Sequence, residues 1–322
     1  MIRFRGRVRG LGLPGAVLLA VGTGVILHVR RTLVRELRQL RRVAAAAQNA
    51  VLRPLPSCIG GLDVGAVQLS AEPGAAIGGD LYEVVATEHG VRAVMGDVRG
   101  HGIGAFGTVA AVLGCFREAA YDEADLGGVL RRLERALDRH LRREHPASVA
   151  EEFVTLLLVE IRADGEMAAL NCGHPWPYRL SGTRVEQLAP ADPYPPLGVF
   201  PLPDVVSTVG LGHLPPGDAL FLYTDGAQDA RDARGRFFPL PLVLASVARE
   251  EPLAPQAILR GVQSALADHS DGTPADDIAL LVLRNGACMP SGARGCVDVR
   301  LRRVGATSHD APAADNPPLT PP

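Results

Sequence analysis

Between Leu62 and Arg284 the chain alternates between two textures of apolar and polar residues. Short runs, β-branched or continuously apolar and bounded by Gly, Pro or Asp, read as strands: LDVGAVQL, DLYEVVA, VRAVMGDV, EFVTLLLVEI, MAALNCG, DVVSTVGL, DALFLYTD and DIALLVLR. Longer stretches with helical spacing cover Gly104 to Tyr121, Leu126 to Arg143, Leu240 to Glu250 and Pro255 to Asp268. The helices come in pairs, and many strands follow one another as hairpins do. That order predicts antiparallel sheets covered by helices rather than alternating βαβ units.

The N-terminal segment breaks the pattern. Arg3, Arg5, Arg7 and Arg9 precede LGLPGAVLLAVGTGVILHV, residues 11–29, which holds no Asp, Glu, Lys or Arg. Arg30, Arg31, Arg35, Arg38, Arg41 and Arg42 follow. About 20 apolar residues cross a bilayer, so residues 11–29 are expected to form a transmembrane helix. Its glycines and Pro14 are tolerated in such helices. The arginine excess on the C-terminal side places the main domain in the cytoplasm by the positive-inside rule. Residues 30–53 are expected to continue as an amphipathic juxtamembrane helix, with Leu33, Val34, Leu37, Leu40, Val43 and Ala47 on one stripe. The arginines of this stalk suit anionic lipid head groups, and the stalk could also form a homodimer contact, though its apolar stripe is too short for a sustained coiled coil. Pro54 and Pro56 end it. Residues 54–285 form the expected globular domain, and the Pro-, Ala- and polar-rich residues 286–322 a disordered tail.

Composition narrows the classes. The chain has 322 residues, 47% hydrophobic and 21% charged, which suits one sizeable domain with appendages. A net charge of −2 gives no electrostatic case for nucleic acid. There is no lysine; all 33 Lys/Arg positions are arginine. Cys58, Cys115, Cys172, Cys288 and Cys296 are odd in number and lack CxxC spacing, against a disulfide scaffold or zinc site. GHGIGA after Arg99 is glycine-rich but lacks the Lys-Ser/Thr of a P-loop.

The chemistry lies in aspartates at the ends of apolar runs. Asp80 closes AAIGGD, Asp97 closes VRAVMGD, Asp225 closes ALFLYTD, and Asp276 with Asp277 opens DDIALLVL. Any one of them, in a GD, DG or DD dipeptide, would ordinarily just make a turn. Together, each tied to a strand end, they point to a site. Gathered carboxylates raise one another's pKa unless cations lie among them, and hard divalent cations take oxygen ligands. Two such ions would also activate a bridging water and polarise a phosphoryl oxygen.

GGDLYEVV, MGDVRGHGIGA, NCGHPWPYRL, LFLYTDGAQDARDARGRFF and ADDIALLVLR resemble, in order and spacing, the motifs of the PPM-type metal-dependent protein phosphatases. These are the protein phosphatase 2C-like enzymes, and the likeness is to their bacterial SpoIIE/RsbU branch, over roughly Leu55 to Arg284. The resemblance implies an α+β fold, an αββα sandwich of two antiparallel β-sheets flanked by helix pairs. It implies hydrolysis of phosphoserine or phosphothreonine on proteins with two Mn²⁺ or Mg²⁺. By motif, Asp97 would bridge the ions, Asp80 and the backbone carbonyl of Val98 would complete one site, and Asp225 and Asp276 the other. Asp277 is the alternate for Asp276.

The sequence departs from the eukaryotic branch in two places. LSAEPGAAI, before Gly78, offers no phosphate-gripping arginine, and Arg99 stands where that branch has a histidine proposed as general acid. The acid is therefore unassigned, and Arg99 is expected to contact substrate phosphate. His101 reads as loop packing, His174 and Trp176 as scaffold, and Asn171 as a candidate second-layer partner. Asp229, Arg231 and Asp232 read as surface charges. The expected function is a membrane-anchored protein serine/threonine phosphatase in signalling, with an anti-sigma-factor antagonist as its substrate by family analogy. The alternative is a metal-binding regulator acting through partner binding.

Overall fold

A computed structural model describes residues 21–36, 39, 50–69, 78–100, 103–144, 152–249, 253–270 and 276–286. Strands β1 (Cys58–Ile59), β2 (Leu62–Leu69), β3 (Asp80–Thr87) and β4 (Gly90–Val98) come first. Helices α1 (Ile103–Asp122) and α2 (Leu126–Glu144) follow. Next are β5 (Val154–Ile161), β6 (Glu166–Cys172), β7 (Tyr178–Ser181), β8 (Arg184–Gln187), β9 (Val209–His213) and β10 (Ala219–Tyr223). The chain continues through α3 (Asp225–Asp229), α4 (Leu240–Val247), α5 (Pro255–His269) and β11 (Ile278–Asn285).

The strands pair into a six-stranded sheet, β1-β2-β11-β10-β7-β8, and a five-stranded sheet, β3-β4-β5-β6-β9. Every pairing between named strands is antiparallel. Three apolar layers hold the sheets and helices together. The period of two along each strand sends alternate residues to opposite faces. In β4, Val91, Ala93 and Met95 enter the layer between the sheets, while Val94 and Val98 meet the helices. Helix α2 presents Leu126, Val129, Leu130, Leu133, Leu137 and Leu141 to the five-stranded sheet at spacings of three and four. Helix α5 does the same to the six-stranded sheet with Ile258, Leu259, Val262 and Leu266. This is the expected pair of antiparallel sheets with helices.

Two expectations shift. DVVSTVGL was expected to be a strand throughout, but pairing starts only at Val209. The carbonyls of Pro203 and Asp204 instead accept from Arg131 on α2, which pulls that segment onto the helix. The hairpin β7–β8 was not foreseen, because two four-residue strands are too short to display a period.

The N-terminal expectation meets only part of the structure. Residues 21–36 are helical and exposed. Among the described residues no helix is long and apolar enough to cross a membrane. Residues 1–20, most of 37–49 and the tail from 287 onward lie outside the described residues.

One buried cation anchors the helical layer. Arg92 on β4 is fully buried. Its Nε donates to Glu160 Oε2 at 2.9 Å, and its terminal nitrogens donate to the carbonyls of Ala120, Glu123 and Ala124 where α1 ends. A charge at the C-terminal end of a helix also complements its dipole. Removing the arginine strands three carbonyls and leaves buried Glu160 with only the exposed Arg162, whose Nε donates to its Oε1 at 3.3 Å. Arg92→Met is therefore expected to lower unfolding stability by roughly 3–5 kcal/mol. Urea denaturation checks this, and a loss below about 1 kcal/mol, the worth of an exposed pair, would contradict the assigned role.

Candidate metal centre

The layer between the sheets turns polar at one end. The same alternation that buries Met95 places Asp97 on the inner face, and Asp80 follows Tyr82 and Val84 there. Asp80 and Asp97 are register partners on β3 and β4. Two carboxylates directly opposite on a ladder repel each other. From the facing sheet, β10 delivers Thr224 and Asp225, and β11 begins directly after Asp276 and Asp277.

Close backbone approaches shape this mouth. A Cβ on Gly79 would lie 2.5 Å from the Val98 carbonyl oxygen and 2.9 Å from Asp97 Oδ1, so these two oxygens face the space a side chain would fill. A Cβ on Gly78 would lie 2.2 Å from Asp277 Oδ2, and one on Gly226 would lie 2.1 Å from the Asp277 carbonyl oxygen. Gly78 and Gly226 thus let Asp277 sit between the two sheet ends.

The electrostatics report the crowding. Asp80 is buried, and its pKa is raised well above the ordinary value, by burial first and then by Asp97. Its hydrogen bond from Thr224 opposes the rise, while Asp277 and Asp225 add to it. Asp97 is pushed up to about 7, by burial first and then by Asp225, Asp276 and Asp277. Asp225 is raised by burial, then by Asp276 and Asp229. No described arginine figures among the causes at any of the three. The field of Asp276 thus reaches Asp97 and Asp225, and that of Asp277 reaches Asp80 and Asp97.

The predicted acids therefore meet at one rim, together with the Val98 carbonyl. Asp276 is exposed and accepts the Asp277 N–H at 2.8 Å; Asp277 is half-buried. Among the described residues, no group of three or more His, Cys, Asp or Glu side chains is drawn tightly enough to hold an ion as it stands. In kind the donors fit a hard divalent cation: they are carboxylate and carbonyl oxygens, and the raised pKa values of Asp80, Asp97 and Asp225 are what a bound cation would reverse.

Arg99 stands beside the rim on an exposed turn. Its N–H donates to the Phe153 carbonyl at 2.9 Å, and its guanidinium lies 5.3 Å from the Phe153 ring centre. His101 lies outside the described residues. Asn171 and His174 close a tight turn through paired bonds of 2.8 Å. His174 is buried, and burial drives its pKa down to about 3. Its Nδ1 meets the Thr155 hydroxyl at 2.9 Å and its Nε2 the Tyr223 carbonyl at 3.1 Å. A neutral ring satisfies both partners by accepting from Thr155 and donating to Tyr223. The expected scaffold residue thus ties the sheets together just behind the acids.

Three contributors escaped the sequence reading. Thr224 and Thr155 had no motif of their own. Asp229, read as a surface charge, is exposed but lies one helical turn from Asp225 and raises its pKa. Its spacing of four from Asp225 was the available signal.

Comparison with known proteins agrees with this architecture. Residues 87–285 match the family model described as stage II sporulation protein E (SpoIIE). The RsbU and RsbW domains of a Mycobacterium tuberculosis protein align at 24% identity and TM-score 0.57, over 72% of this chain and 62% of that one. The SiaA PP2C domain of Pseudomonas aeruginosa aligns at 22% identity and TM-score 0.62, over 79% and 98%. The PP2C phosphatase domain of Bacillus subtilis SpoIIE, with a fragment of its regulatory domain, aligns at 18% identity and TM-score 0.57, over 71% and 64%. The chain thus spans under two thirds of the length of the first and third of these.

Proposed function

The chain belongs to the SpoIIE family, a branch of the metal-dependent PPM-type protein phosphatases, and from that premise we propose that it hydrolyses phosphoserine or phosphothreonine on a regulatory protein with two divalent cations, Mn²⁺ or Mg²⁺. The observation that carries this reading is the meeting of Asp80, Asp97, Asp225 and the Asp276–Asp277 pair at the polar mouth between the sheets, with Asp97 pushed up to about 7.

In this reading Asp97 would serve both cations. Asp80 and the Val98 carbonyl would hold one, Asp225 and Asp276 the other, and Asp277 would stand behind as alternate. When bound, the cations supply the counter-charge that lets the carboxylates ionise together, the acidity to deprotonate a water, and polarisation of a phosphoryl oxygen. The protein's own part is placement. Asp97, pushed up to about 7 by burial and the surrounding acids, would ionise fully only in the company of a cation. Gly79 keeps the rim open. Arg99 offers a planar guanidinium to phosphate oxygens from an exposed turn.

The test is cleavage of an aryl phosphate and of a phosphoserine peptide. Activity is expected to need Mn²⁺ or Mg²⁺ and to vanish with chelator; chelator-resistant activity refutes the reading. Calorimetric Mn²⁺ binding without cleavage of either substrate would favour the metal-binding regulator instead. For Arg99→Ala, the expected outcome is a KM raised about tenfold on the peptide, equivalent to one charge-assisted contact. Unchanged KM and turnover would remove Arg99 from the substrate side.

The substrate placed first is a phosphorylated anti-sigma-factor antagonist, supported by family analogy and by the pairing of RsbU and RsbW domains in one solved neighbour. Failure to dephosphorylate such a protein while the peptide is cleaved would exclude it. Membrane anchoring through residues 11–29, with the catalytic domain on the cytoplasmic side, rests on the uncharged run and the arginines behind it. Recovery of the full-length chain entirely in the soluble fraction after detergent-free lysis would reject it.

A further inference from the structure

One side chain joins the two sheets at the acid rim without being an acid. The Thr224 hydroxyl, fully buried at the end of β10, donates to Asp80 Oδ2 at 3.0 Å and accepts the N–H of Ala279 on β11 at 2.8 Å. The backbone N–H of Thr224 returns a bond to the Ala279 carbonyl at 3.1 Å. A hydroxyl has one proton to give. With the Ala279 N–H occupying a lone pair, the Thr224 proton is directed at Asp80, which belongs to the opposite sheet. The backbone carrying Thr224 is held in turn by the bond between His174 Nε2 and the Tyr223 carbonyl. The Thr224 end of the contact is therefore fixed.

We propose that Thr224 is a positioning residue for the metal centre: its hydroxyl engages Asp80 Oδ2 and so orients the carboxylate with Oδ1 turned toward the cation. This rests on the function proposed above. A carboxylate bound at one oxygen presents the other in a single direction, which removes rotational freedom before a cation arrives. Partners behind metal ligands commonly contribute 10–100-fold in metal affinity.

The experiment is calorimetric titration of Mn²⁺ into the full chain, without substrate, for the wild type and for Thr224→Val, Thr224→Ser and Leu244→Ala. Valine keeps the volume and removes the hydroxyl. Serine restores the hydroxyl. Leu244 is buried in the layer beneath α4, away from the acids, and its truncation controls for lost stability. The expected result is a Kd weakened at least about tenfold in Thr224→Val. Thr224→Ser is expected within about threefold of the wild type, and Leu244→Ala at the wild-type value with a lowered melting temperature. Equal Mn²⁺ affinity in Thr224→Val and wild type overturns the positioning role. So does an equal loss in Leu244→Ala, which would make the effect one of stability alone. Absence of Mn²⁺ binding by the wild type is a different failure, that of the metal centre itself.

Discussion

Asp97→Asn is expected to abolish phosphatase activity and, in chelator, to make the protein more stable. The two effects have one cause. Asp97 is opposite Asp80 on the ladder and feels Asp225, Asp276 and Asp277, so its charge is unfavourable until a cation joins it. Asparagine keeps the shape, removes the charge and loses one anionic ligand. Turnover on an aryl phosphate in saturating Mn²⁺ is expected to fall by at least about 100-fold, the scale of losing a contact to a catalytic metal. With chelator at pH 8, the unfolding free energy is expected to rise by roughly 1–3 kcal/mol, part of the cost of ionising a group held near 7. Retained activity, or a less stable metal-free protein, would contradict the assignment.

The pH dependence of stability carries the second large effect, a fall in the metal-free protein that the loaded protein should lack. Asp97 has a folded pKa of about 7 against an ordinary 3.8. Between those values the folded state binds the proton and the unfolded state does not, so stability falls as pH rises through the window. Asp80 and Asp225, also raised, act in the same direction. His174 opposes them: its folded pKa of about 3 lies below the ordinary 6.5, so stability rises with pH between those values. The two trends offset each other below about pH 6.5, and only the carboxylates act above it. The melting temperature in chelator is therefore expected to fall from about pH 6.5 to 8. Saturating Mn²⁺ should remove that fall. Because the cation displaces protons, calorimetric Mn²⁺ affinity should tighten from pH 6 to 8, by up to about tenfold per unit for each proton released. A metal-free melting temperature that climbs across that range would contradict the crowding of carboxylates.

Much of the fold could be read in the chain because pattern and burial coincide. β4 and β11 are apolar runs closed or opened by Asp, and the α1–α2 and α4–α5 pairs carry clear helical spacing. The acids could be found because a charged residue at the end of a buried strand is conspicuous. The contacts that organise them could not. Thr224 and Asp80 are 144 residues apart, and nothing in either neighbourhood announces the bond. Arg92 lies inside a strand texture, where an arginine suggests an exposed position; only the end of α1, folded over it, explains its burial. The choice between Asp276 and Asp277 depends on where β11 begins. Strand parity sets Asp277 on the same face as Ala279 and Leu281, whereas the field of Asp276 reaches Asp225.

Anomalous diffraction from crystals of the full chain grown with manganese tests the central claim most directly. Two manganese peaks are expected within coordination distance of Asp97, one shared with Asp80 and the Val98 carbonyl and the other with Asp225 and Asp276. Manganese absent from this mouth, with the aspartates left apart and ions bound only elsewhere, would contradict the account.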